Sequence, residues 1–351
     1  MTMFTPKRLI RAADNLVTRH FAVGSGESVL ITADTSTQAA LVQAVADAVV
    51  RAGAKPLVAV APQLPYQGGL ADPFVSDPLK AAAVASDVWF DFCFPYHAGS
   101  GAHSAAMDAN RCRYALLALA EAESFERLYG CVDFPAMMDF NVALAEFFAE
   151  AAGEQVRFTC PQGTDVTLAL DKLKMIRQRV CQSPGMNTVP GTQSFYPVME
   201  SVKGRIVIQA LFDEYYRSLR KPIAIEVDGR IQGFSGGGAE DRPSLGRALK
   251  RASGSKNDRG EYGYFVHFTL GFHPGTKLTQ REFIEDIRVP GSNAIGMGLP
   301  WWEPGGGENH PDGIVLDQSL WVGDVQLMKD GDFVGPGRLA KLHAALSRQL
   351  D

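Results

Sequence analysis

The 351-residue sequence lacks paired cysteine motifs, long apolar runs and blocks of basic residues. Its five cysteines are scattered without a CxxC pair, which argues against a disulfide framework and favours reduced thiols in the cytoplasm. No apolar run approaches the ~20 residues of a membrane span, and the N-terminus lacks the apolar core of a secretory signal. A net charge of −5 with interspersed signs argues against nucleic-acid binding. We therefore expect a soluble cytoplasmic protein that binds neither membrane nor nucleic acid.

The first part of the chain alternates strand patterns with helix patterns. Residues 27–33 (ESVLITA) and 55–61 (KPLVAVA) are typical of buried strands, and the Ala- and Val-rich segment 36–52 between them is typical of a helix. Such a βαβ unit has parallel strands. A further strand at 87–94 (DVWFDFCF) extends the pattern. We therefore predict an α/β domain with an open parallel sheet over residues 1–153.

The second half, residues 154–351, is predicted to be a β-rich α+β domain that binds metal. Residues 155–160 and 165–170 flank a Pro-Gln-Gly-Thr turn, which is typical of a β-hairpin. The Pro- and Gly-rich segment 183–191 is predicted to be a loop. Ser235–Gly238 is glycine-rich but has neither GxGxxG spacing nor the Lys-Ser/Thr of a P-loop, so we interpret it as a turn before a helix.

Tyr96 and His97 follow the predicted strand at 87–94, at the kind of position where open parallel sheets bind ligands. The tyrosine ring is suited to stacking on a flat molecule. A neutral histidine with an ordinary pKa of ~6.5 suits proton transfer near neutral pH. His103 follows in a Gly/Ser/Ala segment and is a further candidate for the same pocket. Ordinary packing is the alternative role for each of these side chains.

The leading candidate metal ligands lie in the segment Asn309-His310-Pro311-Asp312. Residues two apart on an extended strand point to the same side, so His310 and Asp312 are placed to share one metal ion. Pro311 supports this conformation, because the residue before a proline is pushed toward extended backbone. The alternative interpretation is a polar loop end after the glycines at 305–307.

Two further segments carry a carboxylate and small residues. Glu261 stands between glycines at the head of a predicted strand, 264–270, where it is able to approach a metal; its alternative role is solvation of a turn. Residues 290–298 (PGSNAIGMG) permit close backbone approach. His267, inside the predicted strand, is interpreted as a structural residue.

Glu261, the segment 290–298 and the His310-x-Asp312 pair together resemble the thermophilic-type metallo-aminopeptidases, the aminopeptidase T family, over most of the chain. That resemblance implies two metals, with further ligands from a glutamate in a Glu-Val-Phe-x-x-Pro-like motif and a histidine in a His-Ile-x-Leu-Gly-like motif. Gln193 and Ala294 stand in these two places. Because two neighbouring cations need charged or strongly donating ligands, we expect one metal per chain.

With one metal, the chain is most similar to the 2,5-dihydroxypyridine 5,6-dioxygenase branch, whose members hold one iron(II). The resemblance implies Glu261, His310 and Asp312 as iron ligands and His97 as the base of the pocket. Asn187 stands where that branch has a second pocket histidine. The implied reaction is extradiol-type ring cleavage, by O2, of a hydroxylated pyridine or a related dihydroxy-aromatic compound.

Several side chains are candidate contacts for a flat substrate, with packing as their alternative role: Tyr96, His103, Asn187, Gln193, Trp301 and Trp302. One histidine and two carboxylates leave Mn(II) or Zn(II) open beside Fe(II). A metal-dependent hydrolase, either aminopeptidase or amidase, is the main alternative function, and a non-catalytic binding protein with a structural metal is a third. Relatives of this fold are typically homo-oligomers, and we expect the same here.

Overall fold

The structure is a computed structural model that describes residues 6–174, 178–213, 215–253, 260–300 and 310–346. The chain forms two compact units. The first contains the residues up to Met138, Gln178–Pro190 and the residues from Leu346 onward, and the second contains Asp139–Arg177 and Gly191–Ala345. The sequence suggests a single boundary at residue 153, whereas this division is discontinuous, because a short segment returns to the first unit.

The elements are numbered in chain order. The strands are β1 (Ser28–Asp34), β2 (Lys55–Ala61), β3 (Val88–Asp91), β4 (Arg113–Leu116), β5 (Gln155–Thr159), β6 (Asp165–Ala169), β7 (Gly185–Thr188), β8 (Thr192–Phe195), β9 (Lys203–Phe212), β10 (Tyr216–Asp228), β11 (Arg230–Gly236), β12 (Tyr264–Gly271), β13 (Asn293–Gly298), β14 (Asp312–Val315), β15 (Ser319–Val322), β16 (Val325–Lys329) and β17 (Asp332–Phe333). The α-helices are α1 (Lys7–Asp14), α2 (Ala39–Arg51), α3 (Asp77–Ala85), α4 (Gly101–Asp108), α5 (Ala122–Phe125), α6 (Phe134–Glu150), α7 (Asp241–Ala252), α8 (Phe283–Asp286) and α9 (Gly337–Leu346). Among the described helices, none is long and apolar enough to cross a lipid bilayer.

The first unit is built on a parallel sheet with the strand order β2-β1-β3-β4-β7. The chain leaves β1 for β2 on one side and then forms β3 on the other side, so the order reverses between β1 and β3. Ligands of open parallel sheets bind beyond the C-terminal ends of the strands at such a switch point. Asp34 and Asp91 are the last residues of these two strands.

Burial explains why these segments form a central sheet. β3 is buried along its whole length, and β1 is buried from Val29 onward, as expected for parallel strands covered on both faces. The buried residues of α2 include Leu41, Val45 and Ala48, whose spacing places them on one helix face.

One strand of this sheet contradicts the sequence prediction. The sequence pattern predicts a loop at 183–191, but Gly185–Thr188 forms β7 and pairs in parallel with β4. Its sequence, Gly-Met-Asn-Thr, has no apolar alternation and carries a glycine. The conformation is therefore set by pairing with a neighbouring strand rather than by local preference.

Twelve of the described strands form the antiparallel sheet of the second unit. Ten of them follow the order β17-β16-β15-β5-β6-β9-β14-β13-β12-β8, while β10 pairs with β9 and β11 pairs with β10. The rings of Phe158 and Phe195 pack against Phe268 of β12, each with centroids 5.4 Å away. Because side chains alternate along a strand, the flanking His267 and Thr269 lie on the opposite face of β12.

β12 is irregular immediately before His267. Phe265 pairs with Met297, but His267 pairs with Gly296, so β12 has one extra residue at this point. Phe265 and Phe268 consequently share a face, with ring centroids 6.3 Å apart. Such a β-bulge re-aims the side chains that follow it, and here it sets the face to which His267 points.

Candidate metal centre

Three donor side chains converge in the second unit, and we call them the His-His-Asp cluster: His267, His310 and Asp312. Nε2 of His267 lies 3.3 Å from Oδ1 of Asp312, and Nε2 of His310 lies 3.6 Å from Oδ2 of the same carboxylate. The two Nε2 atoms are 3.4 Å apart, and the two rings are perpendicular. None of the three side chains is more than 13% exposed.

The strand register brings this cluster together. His267 on β12 pairs with Gly296 on β13, and Gly296 pairs in turn with Asp312 on β14. A β-carbon at position 296 would overlap the imidazole of His267, with Nε2 as its nearest atom. Because Gly296 has no side chain, the imidazole lies across β13 and reaches the carboxylate. The carbonyl of Pro311 accepts a hydrogen bond from the Met297 amide at 3.0 Å, which holds the chain just before Asp312.

The charges around Asp312 favour its anionic form. Burial raises the pKa of this carboxyl, but the charge of His310, with the hydrogen bond and charge of His267, outweighs burial and lowers the pKa below its ordinary value. An ionised carboxylate facing two imidazole nitrogens is a suitable site for a cation.

The donor set fits one divalent transition metal. Ligand atoms ~2.1 Å from a metal and at right angles to one another lie about 3 Å apart, close to the separations in the cluster. Two histidines and one carboxylate form the facial set of mononuclear iron(II) oxygenases, which leaves other coordination positions open. The set is richer in nitrogen than the sequence suggests, and this difference favours transition metals such as Fe, Zn, Cu or Ni over metals that prefer oxygen ligands.

The hydroxyl of Thr269 lies beside the His267 ring of the His-His-Asp cluster, and the hydroxyl of Ser194 contacts Thr269 in turn. Oγ1 of Thr269 lies 3.4 Å from Nδ1 of His267 and 2.9 Å from the hydroxyl of Ser194 on β8. The Thr269 amide donates a hydrogen bond to Oδ1 of Asn293 at 3.0 Å, which fixes the position of Thr269. Contacts of this kind orient an imidazole ligand and select its tautomer.

Glu261 lies outside the cluster, and the prediction that it is the third ligand needs correction. Its side chain is 57% exposed, and Oε1 lies 2.7 Å from Nζ of Lys250. Gly260 and Gly263 flank it with φ angles of 75° and 74°, a left-handed conformation that glycine adopts easily. This turn directs the carboxylate toward the lysine. In the structure, His267 takes the place that the sequence analysis gives to Glu261.

The sequence contains one signal that points to His267: a histidine interrupts a largely apolar strand. The structure adds a glycine on the next strand, where a β-carbon would close the space beside the ring. The strand pattern alone gives no indication of the bulge or of the pairing between positions 267 and 296. Without that pairing, the histidine is indistinguishable from a packing residue.

His97 lies in the first unit, just beyond β3 at the switch point, and is only 1% exposed. Its Nδ1 donates to Oδ1 of Asp91 at 3.1 Å. Burial lowers the pKa of His97, but the charge and hydrogen bond of Asp91 outweigh burial and raise it above the ordinary value. The Phe94–Pro95 peptide bond between these two residues is cis.

Asp91, Cys93 and His97 are also close enough to one another to hold a metal. Burial, followed by the charges of Asp91 and Asp34, raises the pKa of the Cys93 thiol far above its ordinary value. A protonated thiol is a poor metal ligand. We therefore interpret these residues as a proton-binding group, while the His-His-Asp cluster is the candidate metal centre.

Two more predicted substrate contacts lie near His97 in the first unit. Tyr96 is half-buried directly beside it in the chain. Nδ1 of His103 accepts a hydrogen bond from the Gly99 amide at 3.2 Å, which places the proton of the neutral ring on Nε2. Burial lowers the pKa of His103 to about 4, so this ring is neutral near pH 7. Its ring also packs edge-on against Tyr114, with centroids 4.6 Å apart.

The remaining predicted contacts are distributed over both units. Asn187 is half-buried on β7 of the first unit, where Oδ1 accepts a hydrogen bond from the Cys181 thiol at 3.0 Å. Gln193 is buried on β8 of the second unit, and its Oε1 has no hydrogen-bond partner among the described residues. Trp301 and Trp302 lie outside the described residues.

The fold and the donor set together define a candidate mononuclear metal enzyme of the facial-triad type. The family model for 2,5-dihydroxypyridine 5,6-dioxygenase (NicX) matches residues 12–294, and the chain belongs to this family. It is therefore a ring-cleaving dioxygenase, an oxidoreductase, and the resemblance inferred from the sequence is confirmed. The matched region includes His97 and His267 and ends before His310 and Asp312.

Solved structures agree on the fold. The structure of 2,5-dihydroxypyridine dioxygenase from Pseudomonas putida KT2440 has a TM-score of 0.69 and 19% sequence identity, with 93% of this chain and 97% of that chain covered. Wild-type AmpT from Thermus thermophilus has a TM-score of 0.61 and 14% identity, with 95% of this chain and 98% of that chain covered. The predicted α/β and β-rich fold is thereby confirmed. Comparison with curated protein sequences gave no match.

Proposed function

We propose that the chain is a mononuclear iron(II) dioxygenase that opens the ring of a hydroxylated pyridine, with 2,5-dihydroxypyridine as the leading candidate substrate. The observation that carries this proposal is the His-His-Asp cluster, whose donor atoms are 3.3–3.6 Å apart. Family membership supports the ring-cleaving reaction and the class of substrate. When bound there, iron(II) would supply open positions for substrate and dioxygen and the electrons that activate the oxygen.

The chain's own residues explain how a metal would be held and why one metal per chain is expected rather than two. His267, His310 and Asp312 supply two neutral donors and one negative charge, and Gly296 provides the space that lets the first imidazole reach the carboxylate. Ala294 lies on the same strand face as Gly296 and offers no donor atom beside them. These features support one metal per chain rather than two.

We further propose that His97 accepts the hydroxyl proton of the substrate. A dihydroxypyridine loses that proton before an electron-rich ring is able to react, and a histidine is the side chain best suited to this step near neutral pH. The hydrogen bond from Nδ1 to Asp91 leaves Nε2 as the accepting atom. Tyr96, His103, Asn187 and Gln193 remain proposed substrate contacts.

A metal-dependent hydrolase is the alternative, and the likeness to AmpT supports it by fold alone. None of the five cysteines forms a disulfide, and four of them are buried, which supports the proposed location in a reducing cytoplasm. Association into a homo-oligomer remains a prediction.

Metal exchange separates these functions. The purified protein would be stripped of metal and reloaded under nitrogen with Fe(II), Mn(II) or Zn(II), and each form would be assayed for O2 uptake with 2,5-dihydroxypyridine and for hydrolysis of aminoacyl chromogenic substrates. We expect O2 uptake with Fe(II) and none with Zn(II). Hydrolysis by the Zn(II) form, without O2 uptake by the Fe(II) form on any hydroxylated pyridine or dihydroxyarene, would contradict the proposal.

A further inference from the structure

Asp91 is the fully buried last residue of β3, and its carboxylate accepts five hydrogen bonds. Oδ1 accepts from the hydroxyl of Thr32 at 2.8 Å, from the Cys93 amide at 3.2 Å and from Nδ1 of His97 at 3.1 Å. Oδ2 accepts from the His97 amide at 2.8 Å and from the hydroxyl of Tyr114 at 2.6 Å. A carboxylate with this many donors is held in one orientation and is stabilised as an anion.

Two of these five bonds come from His97, one from its backbone and one from its ring. The pair therefore fixes both the position of the residue and the rotation of its imidazole. A carboxylate acceptor at Nδ1 selects the tautomer with the proton on that nitrogen and leaves the lone pair on Nε2. Among the described residues, no group forms a hydrogen bond with Nε2 of His97.

The groups that face His97 from neighbouring elements have different charges. Asp91 and Asp34 lie at the ends of β3 and β1 and favour the protonated ring. The neutral His103 of α4, the hydroxyl of Tyr114 on β4 and the protonated thiol of Cys93 add no negative charge, since burial raises the pKa of both Tyr114 and Cys93. Asp91 is thus the only described anion in direct contact with the ring.

Asp91 retains its negative charge near neutral pH. Burial raises the pKa of its carboxyl, but the charge and hydrogen bond of His97 and the hydrogen bond of Tyr114 outweigh burial and hold the pKa at about 2. Trp89 donates from Nε1 to the hydroxyl of Thr32 at 2.8 Å, which orients the Thr32 proton toward the carboxylate. Both carboxylate oxygens of Asp91 thus accept hydrogen bonds, whereas Nε2 of His97 has no hydrogen-bond partner among the described residues.

We propose that Asp91 is the positioning residue of His97: it fixes the tautomer whose Nε2 accepts the substrate's hydroxyl proton, and it stabilises the imidazolium that results. In this step the substrate O–H bond breaks, its electron pair remains on the oxygen, and a new N–H bond forms at Nε2. The inference rests on the proposed function of His97 as the base.

The test combines nuclear magnetic resonance with kinetics on three variants of the full chain. Asp91→Asn removes the charge but nearly keeps the shape of the side chain. Tyr114→Phe removes one hydrogen bond from the carboxylate without touching His97. Asp34→Asn is the matched control, because it makes the same chemical change to a neighbouring buried anion that does not contact the ring.

The first readout is the tautomer and pKa of His97, measured on protein with 15N-labelled histidine and without substrate, with His97→Gln to assign the signal. We expect Asp91→Asn to lower the pKa of His97 and to abolish its preference for a proton on Nδ1. Tyr114→Phe should raise the pKa with the tautomer unchanged, because the carboxylate then becomes more basic. Asp34→Asn should keep the tautomer. An unchanged tautomer and pKa in Asp91→Asn would overturn the inference.

The second readout is turnover by the iron(II)-loaded enzyme. Asp91→Asn should lower kcat by roughly 10²–10⁴-fold with little change in KM, as for other acid–base residues, and should retain its metal content. In a His97→Gln background the same substitution should have no further effect on kcat. A normal kcat in Asp91→Asn despite a changed tautomer would overturn the positioning role.

The two readouts separate this inference from the proposed function. If the native protein consumes no O2, the resonance experiment still shows whether Asp91 controls the state of His97. If Asp91→Asn does not fold, Tyr114→Phe provides the test, and an unchanged pKa of His97 in that variant would overturn the inference.

Discussion

Gly296 lies directly beside the imidazole of His267, in the space that a β-carbon at position 296 would occupy. The two residues pair across β12 and β13, and Asp312 pairs with Gly296 from the far side. The absence of a side chain at one position therefore allows ligands from two strands that are not neighbours to meet. The geometry of the candidate metal centre therefore depends on Gly296 as well as on the donor residues.

Gly296→Ala should lower metal affinity by at least ~100-fold, because the added methyl group displaces the imidazole of His267. The measurement is a competitive titration of Fe(II) or Co(II) into the stripped protein.

Gly246→Ala is the matched control, since a β-carbon there meets the Phe234 ring at an ordinary 3.5 Å and the position lies within a helix. In a His267→Ala background, Gly296→Ala should cause no further loss of affinity; an equal loss in both backgrounds would contradict this role.

Removal of each ligand should distinguish His267 from Glu261. We expect His267→Ala, His310→Ala and Asp312→Ala each to abolish stoichiometric metal binding, because each removes one of three donors. Glu261→Ala should keep one metal per chain and nearly full activity, since its carboxylate is exposed and bound to Lys250. Metal content by elemental analysis decides the matter, and loss of metal in Glu261→Ala would restore the assignment made from the sequence.

Thr269→Val should weaken metal binding without abolishing it. The substitution keeps the shape of the side chain but removes the hydroxyl that lies 3.4 Å from Nδ1 of His267. Loss of such an orienting contact typically costs ~10–100-fold in metal affinity. Ser194→Ala, one step further from the ligand, should have a smaller effect. Equal affinities for the native protein and Thr269→Val would show that the hydroxyl does not orient the ligand.

The ion pair between Asp91 and His97 should make stability depend on pH. Asp91 has a folded pKa of about 2 against an ordinary 3.8, so its contribution is present above about pH 4 and is lost as the pH falls toward 2. His97 has a raised pKa, so its contribution is complete below its ordinary 6.5 and is lost as the pH rises through the raised value. The pair therefore stabilises the fold most between about pH 4 and 6.5.

Asp91→Asn should accordingly lower the free energy of unfolding by roughly 3 kcal/mol within that window and by less on either side of it, because a broken buried ion pair is costly. Urea unfolding of the metal-free protein at pH values from 3 to 9, followed by circular dichroism, measures this difference. A difference between native and variant protein that does not change with pH would contradict the ionic account of the pair.

Much of the fold follows from local sequence patterns. The strands at 28–34 and 55–61 lie within one residue of their predicted bounds, because short apolar runs between turn signals favour strands. The sequence pattern predicts a buried strand at 55–61, but none of its residues is buried in the structure. β7 could not be predicted, since a Gly-Met-Asn-Thr segment forms a strand here only through pairing with β4. The discontinuous path of the chain depends on the same pairing.

The candidate site was predictable in part. His310 and Asp312 are two residues apart in the sequence, so strand geometry alone places them on one side, and His97 follows from the rule that ligands bind beyond strand ends. His267 depends on a bulge and on a cross-strand glycine, neither of which a single sequence makes visible. Glu261 is in a plausible turn, but the direction of that turn is set by contacts with α7.

The central claim is that one iron(II), held by His267, His310 and Asp312, supports ring opening by dioxygen. The most direct measurement is a single reaction of the anaerobically iron-loaded protein with 2,5-dihydroxypyridine and ¹⁸O2, followed by mass spectrometry of the product and by a count of metal per chain. We predict one iron per chain, one O2 consumed for each ring opened and both labelled atoms in the ring-opened product. A stoichiometrically iron-loaded protein that leaves the ring intact, or a product labelled from water in place of O2, would contradict the account.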